Sequence, residues 1–266
     1  MTIKFGVIGG GVMGEALLSR LINLGIYQGS DVLVSDPLPS RRSFLAEKYG
    51  VGVTGETREV AIAAEVLFLA IKPQVFEAVA IELSAVPASS LIISILAGVP
   101  LSKLEKAFPQ HPVIRTMPNT PATVGAGMSA IAAGKQVKPE HLEQAKRIFQ
   151  AVGEVVEVPE SMLDAVTGLS GSGPGYVAIL IEALSDGGVA AGLPRAIASQ
   201  LALQTVLGTA QLLKESGMHP AELKDRVTSP GGTTIAGIAE LEKAGMRSAI
   251  IEAVKAAYRR SKELGS

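Results

Sequence analysis

The chain reads Gly9-Gly10-Gly11-Val12-Met13-Gly14 between two segments of different periodicity. Before it, residues 3–9 form a short apolar run with the look of a buried strand. After it, Met13, Leu17, Leu18, Leu21 and Leu24 recur at helical spacing over residues 12–24. A second apolar strand at 31–35 completes a strand–helix–strand unit. In that context the glycine spacing predicts a dinucleotide site rather than a glycine-rich turn without a ligand. Gly9 allows the tight turn, Gly11 lets a pyrophosphate approach the backbone, and Gly14 allows close packing of helix on strand.

The same alternation continues. Helical patterns at 41–49 and 57–64 alternate with a short strand at 51–54 and with continuous apolar runs at 65–71 and 90–96. Strands covered on both faces read this way, so a parallel sheet follows. Residues 112–117, 128–133 and 154–158 read as further strands, with an amphipathic helix at 140–152 between the last two. Residues 1–160 are therefore expected to form a Rossmann-type, doubly wound α/β domain. Beyond about Glu160 the pattern is all helical, with segments at 162–169, 176–191, 195–215, 221–227, 233–243 and 247–263. Pro174, Pro194 and Pro220 stand where helices begin, a position that tolerates a missing N–H. Residues 161–266 are read as a second, helical domain. Its segments 176–191 and 195–213 are apolar on nearly every face, which calls for burial all round. A small helical domain hides little that completely, so a second copy of the chain is the expected cover in preference to a central core position.

Composition narrows the function classes. The chain has 266 residues, of which 47% are hydrophobic and 18% charged, too apolar for disorder. A net charge of −1 offers no field to attract nucleic acid or an anionic membrane. No cysteine is present, which excludes disulfides, thiolate catalysis and Cys-ligated metals. His111, His141 and His219 are scattered and form no ligand set, so no metal is expected. Residues 1–4 run straight into a strand without the features of a targeting segment, and the longest apolar runs look interrupted short of a membrane span. A soluble, cytoplasmic protein is the expectation.

On the cofactor side, Ile8, Gly9, Gly10, Gly11, Val12, Met13 and Gly14 are the first candidates, followed by Ser35 and Asp36 at the end of the second strand. Asp36 stands where a carboxylate binds a ribose 2′-hydroxyl, which favours NADH. Arg41 and Arg42 lie close behind and suit a 2′-phosphate, unless they are only solvated charges at a helix start. The choice between NADH and NADPH stays open on these residues. Ala70, Ile71, Lys72, Pro73 and Leu96, Ala97, Gly98 follow further strands and are expected to line the same crevice.

The substrate candidate is Ser229-Pro230-Gly231-Gly232-Thr233-Thr234, a glycine turn that opens a helix. Such a turn presents unpaired N–H groups and the positive end of a helix dipole to a carboxylate. Two threonine hydroxyls add polar contacts; the plain alternative is an ordinary capped helix start. Residues 168–177, G-L-S-G-S-G-P-G-Y-V, resemble the G-x-x-G-x-G-x-x-x-K segment of β-hydroxyacid dehydrogenases, but Val177 stands at the position of that family's catalytic lysine. A ketone reductase needs that proton donor. A protonated imine does not, because hydride attack neutralises its charge and the ring nitrogen needs only to be oriented.

Several segments then point one way: the N-terminal glycine motif, Ala70-Ile71-Lys72-Pro73, R-T-M-P-N-T-P at 115–121, D-A-V-T-G-L-S-G-S-G-P at 164–174, Asp186-Gly187-Gly188-Val189, and L-K-D-R-V-T-S-P-G-G-T-T-I-A-G-I-A-E-L-E at 223–242. Over essentially its whole length the chain resembles the pyrroline-5-carboxylate reductase family. The resemblance implies NAD(P)H-dependent reduction of 1-pyrroline-5-carboxylate to L-proline, the last step of proline biosynthesis. It implies that Thr234 hydrogen-bonds the ring nitrogen while Ser229, Gly232 and Thr233 hold the carboxylate, and that Asn119 joins the cofactor contacts. It also implies interlocked dimers formed by the helical domain, often assembled into a decamer. Many members carry Asn, Ser or Arg after the second strand where this chain has Asp36-Pro37. A reductase of another cyclic imine or a small keto acid is the neighbouring possibility, and a dinucleotide-responsive protein without turnover the remoter one.

Overall fold

The computed structural model describes residues 3–265. Met1 and Thr2, part of the expected run into the first strand, lie outside the described residues. Contacts divide the chain into two units: residues up to Gly171 together with those from Ala256 onward, and Ser172–Lys255. The change from strand and helix to an all-helical pattern puts the expected division at 160/161. Residues 161–171 pack with the sheet, where Leu163 is buried in its core, and so does the end of the last helix.

The first unit holds eight strands: β1 (Ile3–Ile8), β2 (Val32–Ser35), β3 (Gly52–Thr54), β4 (Ala64–Leu69), β5 (Leu91–Ser94), β6 (Val113–Met117), β7 (Gly127–Ala133) and β8 (Gly153–Glu157). They form one sheet in the order β3-β2-β1-β4-β5-β6-β7-β8. Its helices are α1 (Val12–Asn23), α2 (Pro39–Tyr49), α3 (Thr57–Ala63), α4 (Phe76–Glu82), α5 (Leu101–Ala107), α6 (Pro139–Gln150) and α7 (Leu163–Val166). Successive strand residues supply opposite faces, as a pleat requires. Val66 and Phe68 join one core with Leu17, Leu21 and Phe149, whereas Leu67 and Leu69 join the other with Val60, Phe76 and Leu104. Both faces are covered, which is why these strands read as unbroken apolar runs.

The sheet is mostly parallel, as expected, with one antiparallel pair toward an edge. β7 pairs antiparallel with β6, and β8 runs parallel to β7. Residues 118–126, with a 3₁₀ segment at Thr120–Val124, are too short for a crossover, and a short link joins only antiparallel neighbours. From β1 to β6 the order is the doubly wound one, and the winding reverses between β1 and β4.

The second unit is helical: α8 (Gly173–Ala190), α9 (Arg195–Ser216), α10 (Pro220–Arg226), α11 (Thr233–Lys243) and the greater part of α12 (Met246–Gly265). α8 and α9 form a hairpin whose turn passes through Gly192 at φ +100°. Gly188 lets them approach, since a Cβ there would lie 3.0 Å from that of Ala198. Only Ser185 of α8 and Ala198 and Ala202 of α9 are buried within the chain. Ile179, Leu201, Leu203 and Leu207 are each more than half exposed. α9 is also long and apolar enough to cross a membrane by length and composition, which the apolar runs of the sequence did not single out.

Candidate active site

The winding reversal places the carboxyl ends of β2, β1, β4 and β5 side by side, with Ser35 beside Ile8, Ile8 beside Leu69, and Leu69 beside Ser94. A cleft of about 320 Å³ opens there, lined by Ile8, Gly9, Ser35, Asp36 and Ile71 among the expected residues. Gly9 has φ +100° and its N–H donates to the Ser35 carbonyl at 2.9 Å. A Cβ on Gly9 would meet the Ala70 carbonyl oxygen at 2.7 Å, and one on Gly14 would meet the Gly9 oxygen at 2.3 Å. The N–H of Ala70 in turn donates to the Ile8 carbonyl at 2.8 Å. These contacts lock the turn against the end of β4.

Gly11 differs. It caps α1 with φ −67° and ψ −170°, and a Cβ built on it has nothing within 4 Å. No side chain caps the helix. The space beside Gly11 and the open N–H groups at the start of α1 fit a pyrophosphate, an anion that a helix N-terminus attracts. Val12 is largely exposed on that first turn, and Met13 packs against the core behind it.

Asp36 is nearly buried, at 9% exposure. Its Oδ2 accepts from the Gly10 N–H at 3.0 Å and its Oδ1 from the Leu38 N–H at 2.9 Å. Arg42 donates to the backbone carbonyls of Asp36 (2.8 Å) and Pro37 (3.1 Å). Arg41 donates through Nε to the Gly10 carbonyl and pairs with Glu15. Glu15 also accepts from Tyr49 Oη at 2.7 Å and pairs with Lys48 at 3.2 Å. Burial on its own would raise the Glu15 pKa, but hydrogen bonds from Arg41, Tyr49 and Lys48 outweigh it and hold the group at about 2.

Lys72 precedes a 3₁₀ turn at Pro73–Val75, just after β4. Leu96 and Ala97 follow β5, with the Leu96 N–H on Ser94 Oγ at 3.3 Å. Gly98, at φ +74°, carries the end of α12: a Cβ there would meet the Leu264 carbonyl oxygen at 3.0 Å. Asn119 spans two elements. It donates to the Ser170 carbonyl at 3.1 Å and accepts from the Met128 N–H at 2.8 Å, so both ends of its amide already hold the protein together. The cleft further includes Pro37, Gly55, Thr57, Val75, Val79 and Glu82, which the sequence reading left out. Val79 and Glu82 lie on α4, whose apolar spacing at Phe76, Val79 and Leu83 was the available signal.

Within the second unit, Ser229–Thr234 forms the turn that opens α11. Gly231 takes φ +66°, and the Gly232 N–H donates to the Ser229 carbonyl at 3.0 Å. A Cβ on Gly232 would meet Ser229 Oγ at 2.3 Å, so a larger residue there would turn that hydroxyl away. The N-cap is Gly232 itself, so no hydroxyl closes the helix. Ser229, Thr233 and Thr234 are exposed. The arrangement joins a helix N-terminus, uncapped by any side chain, to three hydroxyls on one turn, which suits a small carboxylate with a polar ring atom.

The family described as "Pyrroline-5-carboxylate reductase dimerisation" matches residues 160–264, and "NADP oxidoreductase coenzyme F420-dependent" matches residues 4–98. A pyrroline-5-carboxylate reductase of Synechocystis sp. is 62% identical over 265 residues, covering 100% of this chain and 99% of its own. The solved pyrroline-5-carboxylate reductase of Coxiella burnetii superposes with a TM-score of 0.92 at 35% identity, covering 100% of both chains. That of Plasmodium falciparum, with NADP bound, gives 0.90 at 32% identity, covering 99% of this chain and 98% of its own.

Proposed function

The chain belongs to the pyrroline-5-carboxylate reductase family, and from that membership we propose how its residues carry the reaction. The protein is an NAD(P)H-dependent oxidoreductase that reduces 1-pyrroline-5-carboxylate to L-proline, the closing step of proline biosynthesis. The observation that carries the assignment of roles is the glycine-capped start of α11, with Ser229, Thr233 and Thr234 on a single turn.

The bound dinucleotide supplies the hydride. The first domain, residues 1–160, holds it: Gly9–Gly14 and the start of α1 take the pyrophosphate, Ser35 and Asp36 face the ribose, and Ala70–Pro73, Leu96–Gly98 and the second N–H of Asn119 serve the remainder. Residues 161–266 bind the substrate and self-associate. The N–H groups of Gly232 and Thr233 and the Ser229 hydroxyl hold the carboxylate, aided by the α11 dipole. Thr234 Oγ orients the ring nitrogen. The protonated imine loses its charge as the new C–H bond forms, so the site needs no side-chain acid, which accords with Val177 at the position of a dehydrogenase lysine.

Self-association covers α8 and α9; assembly of dimers into a decamer is the further step we propose. The α9 helix is then screened by a partner subunit rather than by lipid. A net charge of −1 supports a soluble cytoplasmic enzyme that binds neither nucleic acid nor membrane.

The test is steady-state oxidation of NADH and NADPH with 1-pyrroline-5-carboxylate; no oxidation with either cofactor would sink the proposal. Thr234→Ala is expected to lower kcat about tenfold to a hundredfold, the scale of one hydrogen bond to a charged group, with cofactor affinity little changed. Unchanged turnover removes Thr234 from the mechanism.

A further inference from the structure

We propose that Glu15 sets how strongly the cleft discriminates between NADH and NADPH, by neutralising Arg41 beside the Gly10 peptide. The inference rests on the reading of the cleft as a dinucleotide site. Two acids, Asp36 and Glu82, line the cleft, and no lysine or arginine is among its described lining residues. A 2′-phosphate there needs a cation, and the two within reach on α2 are both engaged. Arg42 is folded onto the carbonyls of Asp36 and Pro37.

Arg41 is the informative one. Gly10 lies between opposite charges, its N–H on the Asp36 carboxylate and its carbonyl on Arg41. Arg41 thus sits one residue away from the group that faces the ribose. Its charge is cancelled there by Glu15, with which it pairs at about one-quarter exposure on either side. Lys48 and Tyr49 hold the carboxylate in place from about two turns further along α2. The Asp36 carboxylate, by contrast, is held by two backbone N–H groups and pairs with no cationic side chain among the described residues. The balance of charge at the end of β2, where Arg42 lies on the Asp36 and Pro37 carbonyls, therefore depends on whether Arg41 is compensated. Removing the Glu15 charge leaves a guanidinium unbalanced next to Asp36, which favours a phosphorylated ribose.

The experiment titrates wild type, Glu15→Gln, Arg41→Gln and the double variant with NADH and NADPH, following the fluorescence of the reduced nicotinamide. Glu15→Gln is expected to lower the ratio of the NADPH Kd to the NADH Kd roughly fivefold, the scale of one partly exposed ion pair. Arg41→Gln should move the ratio the opposite way, and the double variant should return it near the wild-type value. The shifts should shrink at about 1 M salt, where screening acts over roughly 3 Å. A ratio unmoved in both single variants overturns the inference, as does a Glu15→Gln shift that persists in the double variant. If Glu15→Gln disturbs NADH binding itself, the sign of the Arg41→Gln shift decides. Wild-type protein that binds neither dinucleotide fails the functional reading as well, a result distinct from an unmoved ratio.

Discussion

At the scale of single residues, three glycines of one motif do different work. Gly9 and Gly14 are hemmed by backbone, whereas Gly11 faces open space. Gly14→Ala is expected to cost at least about 1 kcal/mol in a urea or thermal melt, because overpacking against a carbonyl exceeds the helix-propensity gain. Gly11→Ala should cost under about 1 kcal/mol, the difference between glycine and alanine at an N-cap, yet weaken dinucleotide binding about tenfold or more. Equal losses of stability in the two variants would contradict this division. The motif was legible in sequence because spacing carries it. The engagement of Arg41 and Arg42 was not, since side-chain direction on α2 depends on packing that no local pattern encodes.

Among elements, α1 and α2 are stapled by Glu15 to Arg41, Lys48 and Tyr49. The Glu15 pKa is depressed in the folded state, from an ordinary 4.5 to about 2. The linkage therefore gives a stabilisation present in full above about pH 4.5 and lost as pH falls toward 2. Melting wild type against Glu15→Gln across that range should show the wild-type advantage vanish on acidification; a difference independent of pH would refute the staple. Strand and helix order was readable where apolar periodicity was strong, as in α1 and β4. Two short helices, α4 and α5, have no range in the sequence reading, although α3 and α10, of the same length, do; the spacing of Phe76, Val79 and Leu83 was the signal for α4. The direction of β7 was missed because it depends on the length of one link, and residue pattern is blind to strand direction.

For the whole molecule, the self-association proposed above places the exposed leucines of α9 in the subunit contact. Leu203 and Leu207 are 56% and 57% exposed in the single chain. Leu203→Glu with Leu207→Glu would bury two unpaired carboxylates in the subunit contact, at a cost of several kcal/mol. Light scattering is expected to report the mass of one chain. Retention of the wild-type mass would move the contact elsewhere. The need for a partner was visible in sequence as helices apolar all round; the face that meets it was not.

The helix α12 starts in the helical unit and ends in the sheet unit. Ser261 hydrogen-bonds Asp164 at 2.7 Å, and Leu264 and Gly265 lie against Gly98. The chain thus passes between its two units twice. During synthesis a growing polypeptide generally completes its early domains first. Here the nucleotide-binding unit lacks its last packing element until residues 256–265 have left the ribosome, after every helix of the other unit has been made. The turn at Gly98 therefore waits on residues 256–265, and a product terminated before them leaves that turn without its cover.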